Sequence, residues 1–117
     1  MITDFKIYEK NKKSSILPSI GDYVICESID FTELNSFTLS NIGQIIEIID
    51  IKYRWDRFIV QFDYIPDYLE SYQIYHSEID YSKKYKNAMS FSLEELIHIS
   101  DDKSKLEFLT QTNKFNI

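Results

Sequence analysis

Glycine and proline are scarce in this chain, with two of each in 117 residues. Gly21 and Gly43 alone cannot assemble a Gly-rich phosphate cradle, a P-loop or a dinucleotide-binding fingerprint. Turns must therefore rest on Asn, Asp and Ser, which bend the chain by hydrogen-bonding their own backbone. Cysteine occurs once, as Cys26, so no internal disulfide forms. Lying in an apolar run with no local base or cation to lower its pKa, it reads as a small buried hydrophobe in a reducing compartment. Histidine occurs twice and tryptophan once. No stretch approaches membrane-spanning length, and the first fifteen residues, with Asp4 and Glu9 among their lysines, lack the apolar core of a secretory signal. A cytoplasmic location is expected.

What the chain has in quantity is aromatic and acidic. Phe, Trp and Tyr make up 15% of it, and the formal charge is -6. From Asp63 to Asp80 there are five carboxylates (Asp63, Asp67, Glu70, Glu78, Asp80) and no Lys or Arg. Such a field repels nucleic acid and attracts basic surfaces. The length suits one domain with its own core.

Along the chain, Phe5 and Ile7 alternate in a short strand or arm that gives way to the polar linker Lys10–Ser15, so residues 1–17 read as an N-terminal arm. Gly21 and Asp22 lead into a β-branched run at Tyr23–Ile29, the first predicted strand. A polar connection with apolar anchors Phe31, Leu34, Phe37 and Leu39 follows. Residues 42–51 place Ile at helical spacing, yet six β-branched residues and Gly43 favour a strand over a helix. Arg57–Asp63 alternates, with Phe58, Val60 and Phe62 on one face, and completes a hairpin. The core is expected to join those three to Val24, Ile46 and Ile48. Residues 65–88 are ambiguous: Pro66 and the spacing of Tyr68, Tyr72, Tyr75 and Ile79 favour a helix ahead of strand or loop. Ser92-Leu93-Glu94-Glu95 is a capping-box pattern, Leu96–Ile99 a closing strand, and Ser100 or Asp101 the cap of a last short helix through Leu109, with 110–117 as a tail.

The order Gly21-Asp22-Tyr23-Val24, Ile42-Gly43-Gln44-Ile45, Phe58-Ile59-Val60-Gln61-Phe62 and Phe91-Ser92-Leu93-Glu94-Glu95-Leu96 resembles SH3-like barrels of the KOW type, and most of all the small stand-alone SH3-like proteins of low-GC bacteria and their phages. The resemblance spans residues 18–100 and implies a mainly β, half-open barrel of about five strands within a domain at 18–109. It implies no activity. The sequence departs from nucleic-acid-binding KOW modules in lacking a basic strand face and in carrying the tyrosine-rich acidic insertion 65–88.

Convergent titratable groups are few. His98 between Ile97 and Ile99 reads as an outward strand residue, and His76 near Glu78 and Asp80 is a poor ligand set without a second imidazole or thiolate. No catalytic, metal or cofactor site is expected. Two binding surfaces remain. One is the tyrosine-acid stretch: Tyr64, Asp67, Tyr68, Glu70, Tyr72, Tyr75, Glu78 and Asp80, with Tyr81 and Tyr85. Tyrosine suits interfaces because it presents apolar area with a polar handle at low entropic cost. The other is an aromatic-basic hairpin tip, Lys52, Tyr53, Arg54, Trp55 and Arg57, the combination that stacks bases and meets phosphates, though Asp50 and Asp56 interleave it.

The first expectation is a non-enzymatic protein-binding module whose partner has a basic surface. Its sharper form is an inhibitor carried by a phage or mobile element, of the anti-CRISPR or anti-defence kind, acting on a host nuclease or CRISPR effector. The alternatives are an RNA- or DNA-binding module using the hairpin tip with Lys6, Lys10, Lys12 and Lys13, and a structural subunit of a phage particle or bacterial complex.

Overall fold

A computed structural model describes residues 18–49, 57–77 and 80–115. Five strands, β1 (Tyr23–Cys26), β2 (Gly43–Ile49), β3 (Arg57–Gln61), β4 (Ala88–Ser92) and β5 (Leu96–Ser100), form one antiparallel sheet of order β4-β3-β2-β1-β5. β4 and β5, adjacent in the chain, stand at opposite edges, so the sheet is not closed among the described residues. The mainly β expectation holds, as does the β2–β3 hairpin, where Ile45 faces Val60 and Ile48 faces Phe58.

The main core cluster joins Val24, Cys26, Ile45, Phe58, Val60, Phe62, Met89, Phe91 and Leu96 with Leu34, Phe37 and Leu69 from the connections. Ile48 packs half-buried against this core, but Ile46 does not join it. The β2–β3 register shifts between Ile45 and Glu47. The extra residue of the bulge breaks the period-two alternation and turns Ile46 to the far face. There it meets a second cluster of Ile49, Ile59 and Ala88, covered by Ile74 and Tyr85. Both faces of the hairpin are thus apolar, which explains its nearly unbroken isoleucines.

Several elements differ from expectation. β1 ends at Cys26, three residues early: Glu27 N–H donates to the Glu95 carbonyl (2.8 Å), and Ser28 is buried with its N–H on Asn35 Oδ1 (2.8 Å). That hook folds the connection into a 3-10 turn, Thr32–Leu34, and one helical turn, Asn35–Thr38. Leu34 and Phe37 are buried as anchors, whereas Phe31 is turned outward. β3 ends at Gln61, although Phe62 N–H still bonds the Asn87 carbonyl (2.8 Å).

Residues 65–88 contain no α-helix among the described residues. A 3-10 turn, Asp67–Tyr72, anchored by buried Leu69, is followed by extended chain. Tertiary pairing overrides the helical spacing, because Ile74 N–H bonds the Ala88 carbonyl (2.8 Å) and Ile74 must cover the far face of the hairpin. The chain doubles back through the His76–Lys84 bridge, turns at Asn87 with φ 57°, and enters β4 at Ala88, inside the expected insertion.

The turn at Leu93–Glu95 carries the full capping box expected of it. The last helix is Lys103–Phe115, reaching well past residue 109. Its cap is Asp102 instead of Ser100 or Asp101: Asp102 Oδ1 accepts Ser104 N–H (3.0 Å), and Leu106 and Thr110, one turn apart, are buried. No helix among the described residues is long and apolar enough to cross a membrane.

Candidate functional site

The tyrosine-acid stretch divides in two. In its first half, Pro66 opens the 3-10 turn and Leu69 pins it to the core, which leaves Asp67, Tyr68 and Glu70 outside. Tyr64 rests edge-on against Phe37 (5.9 Å between ring centroids) with its other side in solvent. Tyr72 turns inward. Its ring packs on Phe31 (5.3 Å), and its hydroxyl donates to the Glu33 carboxylate. Two connections distant in sequence are thereby joined: the one between β1 and β2, with Ile29 and Phe31 exposed, and the one after β3.

The second half lies on the excursion over the far face. Tyr75 donates its hydroxyl to Glu70 (2.9 Å), a bond that raises its pKa because ionisation would set two negative charges together. Tyr85 donates to Glu47, and Lys83 Nζ lies 3.9 Å from the same carboxylate. Asp80 builds the turn: Oδ1 accepts Ser82 N–H (3.0 Å) and Ser82 Oγ (2.6 Å), which holds its carboxyl below the usual range. Tyr81 stands at that turn. Tyr64, Tyr68, Tyr75 and Tyr81 are 57, 70, 46 and 75% exposed.

Between the two connections and β3–β4 lies a cavity of about 280 Å³, lined by Asp30, Phe31, Tyr72, Arg57, Ser90 and Glu95 among others. Glu95 is buried and already occupied: Oε2 accepts Ile29 N–H (2.9 Å) and Oε1 accepts Ser92 N–H (2.9 Å). Arg57 lies along β4, with Nε donating to Ser90 Oγ (2.9 Å) and Nη2 to the Ser90 carbonyl (3.2 Å). The contribution of Asp30, Phe31 and Glu33 was missed in sequence. In sequence Phe31 reads as one of four apolar anchors with Leu34, Phe37 and Leu39, whereas in the fold it is half exposed.

Of the hairpin tip, Arg57 alone is described; Lys52, Tyr53, Arg54 and Trp55 lie outside the described residues, as do Glu78, Ile79 and the arm lysines Lys6, Lys10, Lys12 and Lys13. His76 is exposed and His98 half-buried. Cys26 is fully buried, and burial first, then the Glu95 charge, push its thiol pKa well up. Among the described residues no group of three or more His, Cys, Asp or Glu side chains could hold a metal ion. Compared with known proteins, the chain matches no family model, no curated protein and no solved structure.

Proposed function

We propose that this chain is a non-enzymatic protein-binding module on an SH3-like, KOW-type scaffold. For the scaffold, the strand order β4-β3-β2-β1-β5 and a 3-10 turn between β4 and β5 accord with that architecture. For the function, one observation carries the reading: four tyrosines stand largely in solvent on chain that is itself tied down. Leu69 and Ser77 of the same stretch are buried, and backbone bonds from Ile74 to Ala88 and Tyr85 to Tyr75 (2.8 and 2.9 Å) hold the segment in place. Rings presented by ordered backbone lose little entropy on binding. Asp63, Asp67 and Glu70 beside them favour a partner with a basic surface. Nucleic-acid-handling enzymes have such surfaces, so the sharper form of the proposal is a phage or mobile-element inhibitor of a host nuclease or CRISPR effector.

The test is affinity capture from nuclease-treated bacterial lysate, with wild type beside a Tyr64→Ala, Tyr68→Ala double variant whose circular dichroism matches it. A basic protein recovered by wild type and depleted with the variant is the expected result. Submicromolar binding of random RNA that weakens steeply with salt, with no protein recovered, would overturn the reading in favour of direct nucleic-acid binding.

A further inference from the structure

We infer that the cavity between the β1–β2 connection and β3–β4 takes a lysine or arginine side chain of the protein partner. The inference rests on the protein-binding reading and specifies the chemistry at one point of its surface. The cavity, at about 280 Å³, is lined in part by Phe31, which is 50% exposed and packs against Tyr72. Its lining combines an aromatic wall with carboxylates. Phe31 and Tyr72 form the wall, their planes tilted by 55°, and the Tyr72 ring is steadied by its hydroxyl bond to Glu33. A cation over such faces gains from the ring quadrupole, while the aliphatic stem of the same side chain covers the apolar floor of Leu34, Ile74 and Met89.

Charge decides between a cationic and an anionic occupant. Asp30, Glu95 and Arg57 give the lining a formal charge of -1, and Glu33 on Tyr72 brings the site to -2. Glu95 has both oxygens committed to backbone N–H groups, and Arg57 has its Nε–H and one Nη2–H committed to Ser90. Asp30, exposed and among the lining residues, is the counter-charge an incoming ammonium or guanidinium would meet. The remaining N–H groups of Arg57 can donate to main-chain carbonyls of the occupant's own segment, a role that needs no anion.

The experiment is a titration of the full chain, followed by amide chemical shifts, with the capped tripeptides acetyl-Gly-Arg-Gly-amide and acetyl-Gly-Glu-Gly-amide and with a thymidine decanucleotide. The Arg peptide is expected to move the amides of Ser28–Leu34 and Met89–Phe91 saturably, and the other two probes to leave them in place. Asp30→Asn with Glu33→Gln, both exposed positions, should weaken the Arg peptide about fivefold, and Phe31→Ala should do the same. Arg57→Gln should leave its binding equal or tighter. Saturable binding of the Glu peptide or the oligonucleotide at these amides, abolished by Arg57→Gln, would overturn the inference and make the cavity an anion site. Arg-peptide shifts spread over Asp67 and Glu70 and indifferent to Phe31→Ala would overturn it as well. In either case, continued loss of partner capture in the Tyr64, Tyr68 variant would leave the protein-binding reading standing alone.

Discussion

Gly43 has no room for a side chain. A Cβ there would lie 2.3 Å from Val60 Cγ1 and 3.0 Å from Phe62 Cε1, and Val60 is fully buried and β-branched, so it cannot rotate aside. Gly43→Ala should cost about 1–3 kcal/mol through overpacking, read as a lowered urea midpoint. The opposite change, Phe62→Ala, empties the centre of the core, where the ring meets Phe37 edge-on at 5.1 Å and Phe91 at 6.5 Å. It should cost about 3–5 kcal/mol, and an unchanged melting temperature would show that the ring is not in the core. Cys26 makes a prediction of a different kind. Because its pKa is raised in the fold, the unfolded chain loses the thiol proton first, near pH 8.5, while the folded chain keeps it. The stability linked to this thiol is therefore complete below that pH and falls as pH rises further, at no more than about 1.4 kcal/mol per pH unit. Urea midpoints at neutral and alkaline pH should converge between wild type and Cys26→Ala as the pH rises.

The turn Leu93–Glu95 does more than connect β4 to β5. Through Glu95 it fastens the β1–β2 connection, since the two oxygens of one carboxylate accept the N–H groups of Ser92 and Ile29, 66 residues apart from Glu95 in the latter case. Glu95→Ala strands both donors, at about 1–3 kcal/mol for each one left unsatisfied, and Glu95→Gln, which keeps the shape and an acceptor, should cost less. Amide exchange at Ile29 and Ser92 is the measurement, and unaltered protection in Glu95→Ala would refute the role. Half of this device was legible in the sequence, because a capping box is a matter of three-residue spacing; the bond to Ile29 was not, because it is long-range. The same division runs through the fold. β2 and β3 could be read from β-branched and alternating residues, but the bulge at Ile46 could not, since apolar residues on both faces carry no phase. β4, Ala88-Met89-Ser90-Phe91-Ser92, has little intrinsic strand preference and exists because β3 offers it an edge. In the candidate site, the exposure of Tyr68 follows from its acidic neighbours, whereas the union of Tyr72 with Phe31 and Glu33 depends on two loops meeting in space.

At the scale of the whole molecule, the proposed protein-binding reading assigns the charge of -6 and the exposed tyrosines to different stages of association. Long-range charge steers encounter, and desolvated rings resist separation. Tyr64 and Tyr68 are the informative rings, since neither anchors its segment as Tyr72 does through Phe31 and Glu33. Once the basic partner is in hand, Tyr68→Ala should act chiefly by speeding dissociation, and a ring at the centre of the contact should contribute about 2 kcal/mol or more, roughly thirtyfold in rate. Reversing Asp67 and Glu70 to Lys should instead slow association and flatten its dependence on salt, with little effect on stability because both side chains are exposed. Rates at two salt concentrations for wild type, Tyr64→Ala, Tyr68→Ala and the charge-reversed pair separate the two effects, with circular dichroism as the folding control. If all the variants fold and associate as wild type does, the contact lies away from Tyr64, Tyr68, Asp67 and Glu70, and the far-face excursion around Tyr75 and Tyr81 is the next surface to test. A matching pair, Tyr75→Ala and Tyr81→Ala, then decides between that excursion and a partner that avoids the tyrosines altogether.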